Sequence, residues 1–252
     1  MSTTVEKSIV VVETAIPKEV LIEEVKEEES VLREAPKEVK DVVDQAREES
    51  SEIEPSEIEP KTGVSFPIKP YNGLQLNSLG LRKKQILTIG VKIYAFGIYM
   101  DNKAMKDVVN SKMEKAPEKP TKELYELMIN SDVMAMVRLV IIFPALTMSM
   151  VRKQFDEGIG GSVKKLNGGK KDEELVNKVM GAAKDSIKLS SGSVIEITRL
   201  PGYILQTKVK GELVSSVESE LLCRAYFNMY LGDEPFDKVA KEGFGKSLIS
   251  LF

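Results

Sequence analysis

Two side chains twelve positions apart, Arg82 and Tyr94, have the types needed to hold an acidic group. A guanidinium can pair two N–H groups with both oxygens of a carboxylate, and a phenol can add a third donor. Each residue also has an ordinary interpretation. Arg82 stands beside Lys83 and Lys84, as solvated surface charges do, and Tyr94 suits a core position where the backbone satisfies its hydroxyl. The residue types alone leave both interpretations open.

Several kinds of catalytic chemistry are excluded by composition. The chain has no histidine, which removes His-based acid–base catalysis, Ser-His and Cys-His nucleophilic pairs and the usual zinc ligands. Cys223 is the single cysteine, so an intrachain disulfide is excluded and we expect a reducing compartment. We expect neither a metal site nor a cofactor.

The charge is divided unevenly along the chain. Residues 1–60 carry 18 Asp and Glu against 7 Lys and Arg and have no aromatic side chain, whereas residues 61–252 carry 21 acids against 29 bases. A segment so acidic cannot bury enough apolar surface to offset the entropy of ordering it. We therefore predict a disordered acidic tail over residues 1–60, available to a protein partner, in which the tandem SEIEP-SEIEP at 51–60 is a spacer. One folded domain is predicted over residues 61–252.

The elements that must position Arg82 and Tyr94 follow from the periodicity of the folded part. β-type alternation indicates strands, and apolar positions at helical spacing indicate helices. The predicted strands span 62–68, 74–79, 86–89, 91–100, 133–143, 193–200 and 202–210, and the predicted helices span 104–112, 121–130, 147–166, 173–187, 215–231 and 236–251. This order lacks the regular βαβ alternation of a parallel sheet. It predicts an α+β domain in which helices pack on one face of an antiparallel sheet.

Other sequence features have ordinary explanations. The glycine runs at 158–161 and 168–169 lack the strand–loop–helix spacing of a phosphate loop, so we expect the first to allow close packing and the second to end a helix. The basic runs at 82–84 and 164–171 have no interleaved aromatics, which favours a solvated face over nucleic acid. No apolar run is long enough for a transmembrane segment, and the acidic N-terminus is unlike an import peptide. We expect a soluble cytoplasmic protein, with the chloroplast as the alternative location.

An ordered set of motifs across the folded part is similar to that of one known family. The set consists of GLR at 80–82, YAFGIYMD at 94–101, KQFDE at 153–157, VESELLC at 217–223 and YLGD at 230–233. In order and spacing the chain resembles the chalcone isomerase family of plants. The resemblance covers nearly all of residues 62–252. It implies the open-faced β-sandwich of the chalcone isomerase type, an antiparallel sheet with helices packed on one face.

The resemblance also implies roles for single positions. In true isomerases of this family an arginine holds the phenolate of the substrate, a threonine orders a water, and a tyrosine, an asparagine and a Ser or Thr complete the cleft. The arginine corresponds to Arg82 and the threonine to Tyr94. The other three fall near Met150, Glu157 and Cys223, where those side chains are lost. The pair of Arg82 and Tyr94 resembles instead the fatty-acid-binding members of the family.

We therefore predict a non-catalytic protein that binds fatty acids or similar carboxylate-bearing amphiphiles in an apolar cleft, with Arg82 and Tyr94 at the head group. Two alternatives remain open. One is chalcone–flavanone isomerase activity, an intramolecular cyclisation with Arg82 as the phenolate anchor. The other is an interaction protein that modulates a metabolic pathway through its tail and its domain surface.

Overall fold

A computed structural model of the chain describes residues 55–70, 73–86 and 89–252. The strands are β1 (Ser56–Ile58), β2 (Ser65–Pro67), β3 (Leu74–Ile86), β4 (Ile89–Asp101), β5 (Ala135–Ile141), β6 (Leu146–Thr147), β7 (Lys188–Leu189), β8 (Val194–Leu200), β9 (Ile204–Val209) and β10 (Glu212–Glu218). The helices are α1 (Asn102–Lys112), α2 (Lys122–Asn130), α3 (Met148–Leu166), α4 (Glu173–Asn177), α5 (Glu220–Leu231) and α6 (Lys238–Ile249). Residues 1–54 of the predicted acidic tail lie outside the described residues. In the part that is described, no helix combines the length and the apolar character needed to cross a bilayer.

Six strands form one antiparallel sheet in the order β10-β9-β8-β5-β4-β3. Its longest pair is the β3–β4 hairpin, in which two strands of 13 residues each run from Leu74 opposite Asp101 to Ile86 opposite Ile89. The β-branched and aromatic residues of β4 favour this extended conformation. The hairpin therefore places any two residues that face each other across it on the same side of the sheet.

The two faces of the sheet are covered differently, which confirms the predicted α+β arrangement. Successive side chains of a strand point to opposite faces. On one face, Phe96, Ile98 and Met100 of β4 are buried in the core that the helices complete. On the other face, Ala95 packs against Phe66 of β2. The helices therefore cover one side of an antiparallel sheet, and the short β1–β2 hairpin covers part of the other.

Polar side chains cap the N-termini of helices next to the candidate site. Ser219 accepts a hydrogen bond from the backbone N–H of Leu222 at the start of α5, and such an N-cap contributes about 1 kcal/mol. Asp237 caps α6 with one carboxylate oxygen and accepts the backbone N–H of Leu81 with the other, at 3.1 Å. The second contact ties the start of α6 to β3, one residue before Arg82.

A buried arginine on β8, Arg199, holds the C-terminal end of α2. Its guanidinium nitrogens donate to the backbone oxygens of Met128, Ile129 and Val133 at 2.8 to 3.1 Å. The last carbonyls of a helix have no partner within the helix. Ser131 also donates to the Met128 oxygen, so Arg199 matters most for the oxygens of Ile129 and Val133. Burial lowers the pKa of Arg199 to about 10, which still leaves it charged at neutral pH.

The helix predicted over residues 215–231 begins too early. Residues 215–218 belong to β10, and the helix starts at Glu220. A tight turn at Lys210 and Gly211, both with positive φ (52° and 86°), returns the chain as a hairpin strand that the short apolar pattern did not reveal. The helix predicted over 173–187 is also shorter than expected, since it ends at Asn177.

The second SEIEP copy is ordered, so the prediction of a spacer is wrong for this part of the repeat. Its residues Ser56–Ile58 form β1, which pairs antiparallel with β2. The next residue, Glu59, is buried, and its carboxylate accepts a hydrogen bond from the hydroxyl of Thr62 at 2.6 Å. Pro55 and Pro60 lie just outside the strand, where the missing N–H removes no strand pairing.

Candidate functional site

Arg82 and Tyr94 lie directly opposite each other on β3 and β4. Opposite residues of an antiparallel pair have Cβ atoms about 4.5–5.5 Å apart and share a face. Together with Ile93 they line one side of a small cavity of about 30 Å³. The strand register thus brings together the two residues that the sequence singled out.

The guanidinium of Arg82 has an aromatic ring as its neighbour among the described residues. Its Cζ lies 3.7 Å from the centroid of the Phe236 ring, which is a cation–π contact. Within the described part of the chain, this guanidinium forms no ion pair and donates no hydrogen bond. The side chain is only partly buried. A cation held in this way can pair with an incoming anion without first losing a protein partner.

A group of buried phenols extends inward from Tyr94. The hydroxyl of Tyr94 lies 3.5 Å from that of Tyr230, and the ring of Tyr230 packs edge-on against Tyr226, with centroids 5.5 Å apart. Burial raises the pKa of each of the three phenols well above its usual value, and in Tyr94 it outweighs the opposite effect of Arg82. All three are therefore neutral hydroxyls at physiological pH. The hydroxyl of Tyr226 has no hydrogen-bond partner among the described residues.

Two helices and a loop close the cavity from the other side. Gln154 and Phe155 come from α3, Met229 comes from α5, and Phe236 comes from the segment between α5 and α6. The two helices approach closely because α3 has a glycine at the contact. A Cβ at Gly158 would lie 2.7 Å from the sulfur of Met229. The glycine run at 158–161 therefore begins at a close contact between two helices, where a larger residue would displace the flexible end of Met229.

The cavity is too small for an acyl chain in this structure. Its volume of about 30 Å³ has room for only about two waters, whereas ligand pockets measure roughly 300–1,000 Å³. The apolar cleft predicted from the sequence is therefore closed. A larger space of about 410 Å³ lies between α3 and α4, but lysines and carboxylates such as Lys164 and Asp172 line it. Its polar lining does not suit an apolar chain.

Met150 and Glu157, which the family resemblance implied as cleft positions, do not line the cavity that Arg82 lines. Met150 lies in the first turn of α3 and is 45% exposed. Glu157 is exposed and lines the polar space between α3 and α4. Gln154, which lies between them in the sequence, is the polar residue of α3 that lines the cavity.

Cys223, the third of these positions, lies on another side of α5. Its thiol is fully buried and donates to the backbone oxygen of Tyr203 at 3.3 Å, and burial raises its pKa to about 12. The residue of α5 that lines the cavity is Met229. Six positions separate Cys223 from Met229, and at 3.6 residues per turn this spacing points two side chains in different directions. Among the described residues, no three Cys, Asp or Glu side chains converge on a point that could hold a metal ion.

Comparison with known proteins decides the family. The family model described as chalcone isomerase-like matches residues 63–244. The chain belongs to the chalcone isomerase-like family. This match confirms the resemblance that the ordered motifs indicated, and it includes the two strands that carry Arg82 and Tyr94 as well as the helices that close the cavity.

The relatives of this chalcone isomerase-like chain include proteins from two plants. Chalcone isomerase-like protein 1 from Humulus lupulus is 53% identical over 197 residues, which cover 77% of this chain and 92% of the relative. Fatty-acid-binding protein 1 from Arabidopsis thaliana is 36% identical over 200 residues, which cover 78% of this chain and 71% of the relative. The crystal structure of a fatty-acid binding protein from Arabidopsis thaliana matches with a TM-score of 0.73 at 35% identity, over 78% of this chain and 98% of that chain. The open antiparallel sheet with its helices is thus the chalcone isomerase-like fold that the resemblance implied.

Sequence reasoning missed the residues of α5 and its following loop that complete the site. Tyr230 stood out only as part of a family motif, and Phe236 only as the start of the last predicted helix. Tyr226 and Tyr230 are separated by four positions on a helix, and residues at this spacing share a face. That spacing was the available signal for the buried phenols. The contact between Phe236 and Arg82 depends on the path of a loop, for which the sequence has no signal.

Proposed function

We propose that this domain binds fatty acids or similar carboxylate-bearing amphiphiles without catalysing a reaction, and that Arg82 and Tyr94 hold the carboxylate. The observation that carries the proposal is the guanidinium of Arg82, which has no ion-pair partner among the described residues and lies directly opposite Tyr94 at a partly apolar cavity. The ligand class is supported by the relative and the solved structure whose names describe fatty-acid binding.

Arg82 and Tyr94 complement a carboxylate in both charge and geometry. The guanidinium can donate two parallel N–H bonds and the phenol one more, and each charge-assisted bond contributes about 1.5–3 kcal/mol. Burial keeps Tyr94 neutral, so it retains the proton that it must donate. Tyr230 can donate to the Tyr94 oxygen, which leaves the Tyr94 proton for the ligand and strengthens that bond by polarisation.

The acyl chain requires the closed cavity to widen. Each CH₂ group that leaves water contributes about 0.8 kcal/mol, so a chain of several methylenes can outweigh the displacement of one or two side chains. Met229 has a flexible thioether side chain, and Phe236 lies in a loop between two helices. We expect these two side chains to move when a ligand enters, while the Arg82 and Tyr94 backbones stay fixed in the sheet.

The departures from the isomerase pattern favour binding over cyclisation. Tyr94 stands where the resemblance places a threonine, and the cavity is otherwise lined mainly by apolar side chains, with Gln154 as the polar residue from α3. Met150 and Glu157 also lie away from the cavity that Arg82 lines. Chalcone–flavanone isomerase activity is the alternative function, and rapid loss of chalcone absorbance in the presence of the protein would overturn the non-catalytic proposal.

Calorimetric titration of the full chain with a series of saturated fatty acids tests the proposal. Arg82→Ala removes at least two charge-assisted bonds, so we expect at least about hundredfold weaker binding. Arg82→Lys keeps the charge without the fork and is expected to recover only part of the affinity. Lys103→Ala, at an exposed position on α1, is the control and should bind as the unmodified protein does. Equal affinity of Arg82→Ala and the unmodified chain would contradict the assigned site.

A further inference from the structure

The outer part of the β3–β4 hairpin extends past the sheet. β5 pairs with β4 only from Tyr94 to Met100, although β4 begins at Ile89. Residues 83–85 are therefore paired with residues 90–92 in a two-stranded ribbon, beside which the described residues place no third strand. This ribbon begins immediately after Arg82.

A second segment leaves the sheet at the same end of the domain. The backbone oxygen of Ile93, at the base of the ribbon, accepts hydrogen bonds from the N–H groups of Ile142 and Phe143 at 3.0 and 3.1 Å. The chain then passes through the exposed Pro144 to the first turn of α3, where Met150 is 45% exposed. Exposed apolar side chains thus lie at the end of the domain from which the ribbon extends.

This end of the domain is basic. Residues 81–93 and 142–153 include six Lys and Arg and no Asp or Glu, and of these six Arg152 is paired with Asp185 from another segment at 3.8 Å. The four lysines in these ranges are exposed and form no ion pair within the described part of the chain. We call them the basic rim: Lys83, Lys84, Lys92 and Lys153. The Nζ of Lys92 donates to the backbone oxygen of Lys61 at 2.7 Å, which does not neutralise its charge.

The basic rim borders the proposed head-group site. Lys83 follows Arg82 on β3, and Lys153 precedes Gln154 on α3, and both Arg82 and Gln154 line the cavity. Two lysines of the rim are therefore the immediate sequence neighbours of residues that line the cavity.

We propose that the basic rim docks on an anionic phospholipid bilayer, with the exposed apolar side chains around Met150 facing the lipid. Two observations favour a bilayer over an acidic protein. The rim combines exposed apolar residues with lysines that have no ion-pair partner among the described residues, and two of these lysines adjoin, in sequence, residues of a site for an amphiphile. Docking does not depend on the proposed function, but the transfer of a fatty acid between bilayer and cavity rests on it. Each lysine near an anionic surface contributes roughly fivefold to partitioning, and added salt weakens this contribution.

Co-sedimentation of the full chain with vesicles tests the docking. Vesicles of phosphatidylcholine alone are compared with vesicles that also contain phosphatidylglycerol, at low and at raised salt. We expect binding only to the anionic vesicles and a decrease with salt. The double variant Lys83→Glu/Lys84→Glu should lower partitioning by at least about 25-fold. Lys103→Glu/Lys106→Glu, with the same change of charge at exposed positions on α1, should lower it far less.

The outcomes separate docking from ligand binding. No binding of the unmodified chain to anionic vesicles, or an equal loss in both double variants, would overturn the proposal. Binding of the rim to polyglutamate but not to vesicles would assign it to an acidic protein and would also overturn it. Titration with fatty acid in solution is run on the same variants. If the chain binds vesicles but no fatty acid, docking stands and the proposed function fails.

Discussion

The guanidinium of Arg82 lies over the ring of Phe236, with 3.7 Å between Cζ and the ring centroid. The ring attracts the cation through its quadrupole, so it orients the guanidinium without neutralising its charge. The same ring packs edge-on against Tyr230, with centroids 5.3 Å apart. One side chain in the loop between α5 and α6 therefore connects the head-group residues of the sheet with the buried phenols.

Removal of this ring should make the cavity easier to enter. We expect Phe236→Ala to raise the rate of fatty-acid association by about tenfold, because the side chain that must move is gone. The free energy of unfolding should fall by about 2 kcal/mol, since the ring is only partly buried. Stopped-flow fluorescence with a labelled fatty acid measures the rate, and urea unfolding measures the stability. Phe252→Ala, which truncates a partly buried ring at the C-terminus, is the control. An unchanged rate in Phe236→Ala would show that Phe236 does not limit entry.

The hydroxyl of Tyr94 should contribute to the affinity for a fatty acid, whereas the packing of the core depends on the ring. Tyr94→Phe keeps the ring in the core and removes one donor to the carboxylate, so we expect binding to weaken by about 10- to 100-fold. Calorimetric titration with a fatty acid and with the matching fatty alcohol separates the two contributions. The alcohol, which lacks the charge, should lose much less. A similar loss for both ligands would indicate a general disturbance of the cavity.

Removal of the Tyr226 hydroxyl is expected to stabilise the domain. The oxygen is buried and has no hydrogen-bond partner among the described residues, and an unpaired polar group of this kind costs about 1–3 kcal/mol. Tyr226→Phe should therefore raise the free energy of unfolding by about 1 kcal/mol, as measured by urea denaturation. If the variant is destabilised instead, the hydroxyl is bonded to Tyr230 in solution.

Arg199 should be among the most sensitive positions of the domain. Arg199→Ala removes the donor to the backbone oxygens of Ile129 and Val133, whereas the Met128 oxygen keeps its hydrogen bonds from Ser131, and we expect a loss of about 3–5 kcal/mol in stability. Arg199→Lys retains a charge but reaches fewer carbonyls, so it should recover only part of this loss. Lys178→Ala, at an exposed site, should change stability by less than about 0.5 kcal/mol in the same urea experiment. Similar values for all three variants would contradict the anchoring role.

Stability should decrease in alkaline solution because of the buried phenols. Burial raises the pKa of Tyr94, Tyr226 and Tyr230, whereas in the unfolded chain a phenol titrates near pH 10. Above about pH 10 the unfolded state binds fewer protons than the folded state, so each phenol lowers stability by about 1.4 kcal/mol per pH unit, and below that pH it has no such effect. Phenolate absorbance and circular dichroism are followed together. Ionisation of all seven tyrosines near pH 10 in a chain that keeps its native spectrum would contradict the prediction.

The position of the head-group pair could be predicted because it depends on local pattern. Strand alternation predicts neighbouring strands here, and the family resemblance singles out the arginine and the tyrosine. The bounds were wrong, because Arg82 stood between two predicted strands but lies within one strand, β3, and Gly90 lies within β4. The α5 contact could not be predicted in the same way. Cys223 and Met229 are both apolar positions of one helix, and only the packing of that helix against α3 decides which of them reaches the cavity. The size of the cavity depends on the same packing of side chains. The sequence therefore predicted an apolar cleft but could not show that it is closed.

The missed strand β10 has a similar explanation. Its residues carry too short an apolar pattern to distinguish a strand from the first turn of the following helix. The decisive feature is the pair of positive φ angles at Lys210 and Gly211, and a lysine does not signal a left-handed conformation. Gly211 follows a predicted strand in the sequence, but the sequence did not indicate that it forms a hairpin turn together with Lys210.

The strand formed by the second SEIEP copy has an evolutionary consequence. Both copies have the same five letters, and β1 uses Ser56–Ile58 of the second. If one copy is deleted by slippage during DNA replication, the remaining copy still supplies the residues that pair with β2. If a copy is gained, the additional residues precede the same strand. Natural variation in the number of copies is therefore expected to change the length of the N-terminal segment while the folded domain stays the same.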